Sequence, residues 1–185
     1  MGNPLLDRKS PPEWLASSQV IEFSEKISFF ERLHSALENE LSALEDADYP
    51  AGWRDERVSG RLEFKRSAAG TDGVWLEIEA KAAATLVCQR CLSAYVETLE
   101  TALDVVLVGQ DEQAEAGQEA WELEEPTLRP ADIVDEALVM ALPLSPLHEI
   151  SACPAAAAEE EPAEREDTIK PFADLRAQMD KFGDE

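Results

Sequence analysis

Between Val74 and Leu107 the chain runs as two alternating patterns on either side of a tight Cys88-Gln89-Arg90-Cys91 turn, and no other stretch constrains the fold as strongly. Val74, Leu76, Ile78, Ala80, Ala82, Ala84, Leu86 and Cys88 fall on one face of an extended segment, opposite Trp75, Glu77, Glu79, Lys81, Ala83 and Thr85. Beyond the cysteines, Tyr95, Glu97, Leu99, Thr101, Leu103, Val105 and Leu107 share a face. A period of two belongs to strands, so the cysteines sit at the hinge of a long β-hairpin.

The flanking segments extend this hairpin into a sheet. Arg57 to Arg66 is a further strand, with Val58, Leu62 and Phe64 on one side and Arg57, Arg61 and Lys65 on the other. Residues 68–73 turn it into the hairpin, Asp72-Gly73 being a hairpin signal. Ile27, Phe30, Leu33, Leu37, Leu41 and Leu44 recur at helical spacing, which predicts a helix from Ser24 to Leu44, ended by Asp48-Tyr49-Pro50-Ala51-Gly52. Pro130 opens a second helix running to Leu142, with Asp132, Asp135 and Glu136 in its first turns, where the macrodipole favours acid. Residues 109–125 are strongly acidic and read as a mobile loop holding one short strand, Ala120–Leu123, while residues 1–13 read as a loose tail or an edge segment. The expectation is an α+β fold, an antiparallel β-meander packed with helices. Three regions follow: one domain over 1–153, a disordered acidic linker over 154–168, and a short amphipathic helix over 169–185 with Phe172, Leu175 and Met179 on one side.

Charge narrows the function. A formal net charge of −24 makes the whole molecule a poor partner for polyphosphate, because nucleic-acid affinity comes largely from Lys and Arg displacing counterions. Any RNA contact must be local, and Arg54 to Arg66, with five basic residues against three acidic ones, is the one stretch of its length with a positive balance. Arg57, Arg61 and Lys65 are therefore candidate nucleic-acid-binding residues, with Arg90 in the Cys turn; the plainer reading is a solvated strand face. No apolar run reaches the about 18 residues that a membrane span needs, and the N-terminus lacks the pattern of a signal peptide. An odd count of three cysteines suits a reducing, cytoplasmic compartment better than a disulfide framework.

The cysteine turn is the candidate site. Two thiols at this spacing can face one tetrahedral ion, and His148 and Cys153 downstream complete a Cys88, Cys91, His148, Cys153 set suited to structural zinc. Pro143 and Pro146 stiffen the arm that would return them. Free structural thiols and a redox dithiol are the other two readings, the last weakened because the turn does not lie between a strand and a helix. His34, alone in a helix, reads as packing. No Ser/His/Asp arrangement, Gly-rich phosphate loop or framed carboxylate pair occurs, so the chain reads as a binding module, not an enzyme.

Three motifs in this order resemble the YceD family, described as large ribosomal RNA subunit accumulation proteins. They are Cys88-Gln89-Arg90-Cys91-Leu92, the run from Ile133 to Glu149 through Leu142-Pro143-Leu144-Ser145-Pro146 with Cys153 following, and Pro171-Phe172-Ala173-Asp174-Leu175. The resemblance implies a bacterial cytoplasmic factor needed for accumulation of 23S ribosomal RNA, acting on its precursor or on early large-subunit particles. It implies partners among precursor RNA or ribosomal proteins, and suggests no catalytic chemistry and no small-molecule substrate. The alternative from another class is a thiol-dependent redox or metal-carrier protein.

Overall fold

The computed structural model describes residues 2–17, 20–45, 48–66, 73–110, 114 and 116–155. The chain divides into two units, Met1–His148 and Glu149–Glu185. All but the last residue of the turn expected at 68–73, nearly all of the linker expected at 154–168 and the terminal helix expected at 169–185 lie outside the described residues.

The first unit is an α+β fold built on one five-stranded sheet, β1 (Val20–Lys26), β2 (Arg57–Arg66), β3 (Val74–Val87), β4 (Ala94–Gly109) and β5 (Ala120–Leu123), neighbours in that order. The first three pairings are antiparallel, β2–β3 and β3–β4 through short connections and β1–β2 across a connection that contains α2 (Glu31–Leu41). The fourth departs from a meander: β5 runs parallel to β4, with Val106 opposite Ala120 and Leu107 opposite Trp121. The acidic stretch between Gly109 and Ala120 returns the chain to the level of Val106, near the end of β4, before the edge strand starts, and its sequence carries no hairpin turn that would force reversal.

One sheet face carries the core. Val58, Leu62, Phe64, Leu76, Ile78, Leu86 and Leu99 are buried there beneath α1 (Pro11–Ser17), α2 (Glu31–Leu41) and α3 (Pro130–Met140). Leu33, Leu37 and Leu41 of α2 and Ile133, Val134 and Leu138 of α3 fill the layer between. Residues 24–30, which the sequence places in the same helix as Leu33 and Leu37, are not α-helical. Ile21 and Phe23 point into the core with Glu22 and Ser24 outward, a strand period on β1, and the turn Ile27–Phe29 is fixed by the Ile27 N–H donating to Glu56 O at 2.9 Å. Helical spacing from Ile27 onward overlaps this alternation, which is why the sequence extends the helix too far.

The N-terminal residues pack closely. Leu5 and Trp14 are fully buried, and Trp14 stacks on Phe64 with centroids 5.2 Å apart. Lys9 and Leu128 exchange two backbone hydrogen bonds that lay this segment along the start of α3. His34 stacks on Trp53 at 5.2 Å and accepts from Arg54 Nε, a packing role as its position suggests.

Helix α2 is held at both ends by groups from other elements. Phe30 occupies its N-cap position without a side chain that can cap it. The Asp135 carboxylate of α3 takes over, accepting from the Arg32 N–H at 2.9 Å and the Leu33 N–H at 2.8 Å. Near the other end, Glu40 Oε1 accepts from the Val87 N–H at 2.9 Å, next to Cys88. The helix thus ties α3, whose C-terminal end leads into the proline arm, to the cysteine end of β3.

Candidate metal centre at the hairpin tip

The cysteine turn closes β3 onto β4. The Cys88 N–H donates to Ser93 O at 3.0 Å and the Leu92 N–H to Cys88 O at 2.8 Å. Cys88 is buried and Cys91 partly so, and all three thiols of the chain are free of disulfides. The arm from Pro143 crosses this turn. The Gln89 N–H donates to Pro146 O at 2.9 Å and Ser145 Oγ to Gln89 Oε1 at 2.8 Å. Two residues beyond that clamp, His148 aims Nε2 at Cys91 Sγ, 3.7 Å away, while the Tyr95 ring meets its imidazole edge to face at 5.2 Å.

The ligand atoms of Cys88, Cys91 and His148 therefore lie within 4.8 Å of one another. Sulfur atoms bound to one tetrahedral zinc at about 2.3 Å stand about 3.8 Å apart, which lies within that spacing. Burial pushes the Cys88 thiol up, but N–H groups of Cys91, Arg90 and His148 point at its sulfur and, with the Cys91 thiol, bring it down to about 6. Thiolate is the form a metal binds, so the turn prepares one ligand before any ion arrives. Tyr95 stays a phenol: burial first, then the Glu97 carboxylate, raises it to about 12. Cys153, the remaining thiol of the predicted set, belongs to the second unit, where it follows the short turn Ile150–Ala152 and donates its N–H to Ile150 O at 3.1 Å.

The basic residues have a different fate. Arg57, Arg61 and Lys65 share the outer face of β2, but each is engaged. Arg57 Nη1 donates to Ser24 O at 2.8 Å, Arg61 pairs with Glu63 at 3.0 Å, and Lys65 binds Glu77 with Glu63 at 3.5 Å. The Glu77 hydrogen bond raises the Lys65 amine, and Lys65 in turn lowers Glu77. A trough of about 720 Å³ on this face has Arg61 and Lys81 set against Glu22, Glu79 and Glu100, so its lining is acidic in balance. Arg90 lies apart, in the turn beyond the end of β3. Its Nη1 is buried and, like His148 Nδ1, has no hydrogen-bond partner among the described residues.

Sequence reasoning missed the residues that position the tip. Gln89 is a plain residue between two cysteines, and its role follows only from the arm lying across it. Glu40, Tyr95 and Asp135 act through contacts far along the chain, for which local pattern gives no signal.

The sequence model of one protein family, described as Large ribosomal RNA subunit accumulation protein YceD, matches residues 76–177, more than half of the chain, with all of the hairpin but its first two residues and the whole of α3 and the arm. Neither the curated proteins nor the solved structures gave a match. No helix among the described residues is long and apolar enough to cross a membrane.

Proposed function

The chain belongs to the YceD family of large ribosomal RNA subunit accumulation proteins, and from that premise we propose that it is a cytoplasmic binding module acting on precursor 23S RNA or an early large-subunit particle, without catalysis of its own. The observation that carries the mode of action is the hairpin tip. Cys88, Cys91 and His148 bring two sulfurs and one imidazole nitrogen within 4.8 Å, on a turn already stitched to the arm through Gln89. We assign zinc as the ion these residues hold, with Cys153, five positions after His148 in sequence, as fourth ligand. A shell of three thiolates and one imidazole is closed: the ion would cross-link hairpin and arm, with no coordination position left for a substrate.

A second reading has one observation in its favour, the lowered Cys88 thiol, which also suits dithiol exchange. Against it, Cys88 is fully buried, so a protein disulfide has no approach to its sulfur. Three measurements decide. Metal analysis of protein purified without chelator should give about one zinc per chain, lost on His148→Ala, and a content near zero removes the ion. Sedimentation of cell extract should place the protein with large-subunit precursors. Turnover of a disulfide substrate, abolished by Cys91→Ser, would replace the binding-module reading with the redox one.

A further inference from the structure

Leu92 is the only non-glycine residue among those described with a positive φ, at 58°. A left-handed conformation costs an L-residue about 1–2 kcal/mol, which glycine would avoid. The side chain recovers little of that cost by burial, since Leu92 is 70 % exposed and the fold uses only its N–H, in the bond to Cys88 O. Backbone strain beneath an exposed apolar side chain points to a use outside the fold.

The neighbours of Leu92 share its character. Val96, early on β4, is 66 % exposed, and Leu144 on the arm is wholly exposed, with Leu147 beyond it at 43 %. Single exposed apolar residues are ordinary. Here Leu92 and Leu144 stand on two segments fastened together by the Gln89 to Pro146 and Ser145 to Gln89 hydrogen bonds, so both side chains are presented from one clamped tip.

We propose that this tip is a docking surface for a basic protein segment that carries an apolar anchor, with Leu92 and Leu144 as its principal contacts. Charge selects the partner class. A chain of net charge −24 attracts a Lys/Arg-rich polypeptide and repels RNA, and the cations of the β2 face are already held by Glu63, Glu77 and the Ser24 carbonyl. The inference rests on the reading of the protein as a binding module in large-subunit assembly and narrows its partner to protein.

The test uses the full chain and two probes: individually separated proteins stripped from purified large ribosomal subunits, and a protein-free 23S RNA transcript. The expected result is salt-sensitive binding to a basic large-subunit protein, weakened about tenfold or more by Leu92→Gly and by Leu144→Ser. Leu92→Gly removes the side chain while relieving the backbone, so unfolding cannot account for its loss. Unchanged affinity in both variants overturns the inference. So does Leu92-dependent binding to the transcript, Leu92-dependent doubling of mass, or a tenfold gain on Phe172→Ser, which would give the patch to RNA, a second copy or residues 169–185 of the same chain. If wild-type protein sediments with large-subunit precursors and the variants do so equally, only this inference fails. If wild-type protein does not, the reading beneath it fails.

Discussion

Removing the Asp135 carboxylate tests how α2 is held. It is 7 % exposed and accepts the N–H groups of Arg32 and Leu33, two of the donors that a helix start leaves without partners. Phe30 at the N-cap cannot replace it. Loss of an N-cap costs about 1–2 kcal/mol, and leaving a buried donor unpaired adds about 1–3 kcal/mol. For Asp135→Ala we expect a loss of about 3 kcal/mol. Asp135→Asn keeps one acceptor oxygen and turns an amide N–H toward the second donor, so about half of that loss should appear. Urea unfolding followed by circular dichroism measures it: with a slope of about 2 kcal/mol per M, the alanine variant should unfold about 1.5 M earlier at unchanged slope. A midpoint within about 0.3 M of wild type would refute the cross-element cap. Another group would then be satisfying α2.

Gly60→Ala should destabilise by about 1–3 kcal/mol or more in the same assay, because the added Cβ would lie 2.3 Å from Glu79 O and 2.8 Å from Phe23 Cζ; a neutral result would mean that β2 and β3 separate easily. Leu92→Gly should raise stability by about 1 kcal/mol, whatever it does to partner binding, and a loss would show that the left-handed turn is unstrained. In metal-free, reduced protein the Cys88 thiol titrates near 6, well below its ordinary value of 9.0. A depressed acid stabilises the fold fully above the unfolded value and loses that contribution as pH falls through the folded one. Denaturation midpoints should therefore fall from pH 9 toward pH 6 and flatten in Cys88→Ser, whereas identical profiles for the two proteins would exclude the thiolate.

Alternation alone placed β2, β3 and β4 as far as Leu107, and it marked the four residues of β5, because burial on one face writes a period of two into the sequence. Pro130 likewise marked the start of α3. Where two periods overlap, the sequence could not separate them: Ile27 and Phe30 serve a turn and a helix cap, yet they match the spacing of Leu33 and Leu37. The burial of Leu5 and Trp14 left no periodic trace, since both come from short segments that each contribute one large side chain. Cys88, Cys91 and His148, the predicted ligands that lie in the first unit, stand together because the hairpin and the proline arm were both legible. The basic stripe was legible as a shared face, but its pairing was not, as Glu77 reaches Lys65 from the next strand and only register brings the two together.

Metal, arm and helices make one positional problem with an economical solution. A zinc shell assembled from a flexible arm would spend binding energy on ordering the chain between α3 and His148. In this chain Pro143 and Pro146 limit that freedom, and Gln89 fixes the arm through its main chain and its side chain. From the other side, Asp135 and Glu40 hold α2 between α3 and the residue next to Cys88. Both routes from α3 thus end at the same turn. A site so prepared favours one stable shape of the tip over exchange of the ion, and a stable shape is what Leu92 and Leu144 need in order to present a fixed pair of apolar contacts. A metal carrier needs the opposite, a shell that opens easily, and that is the physical reason for ranking the structural reading above it.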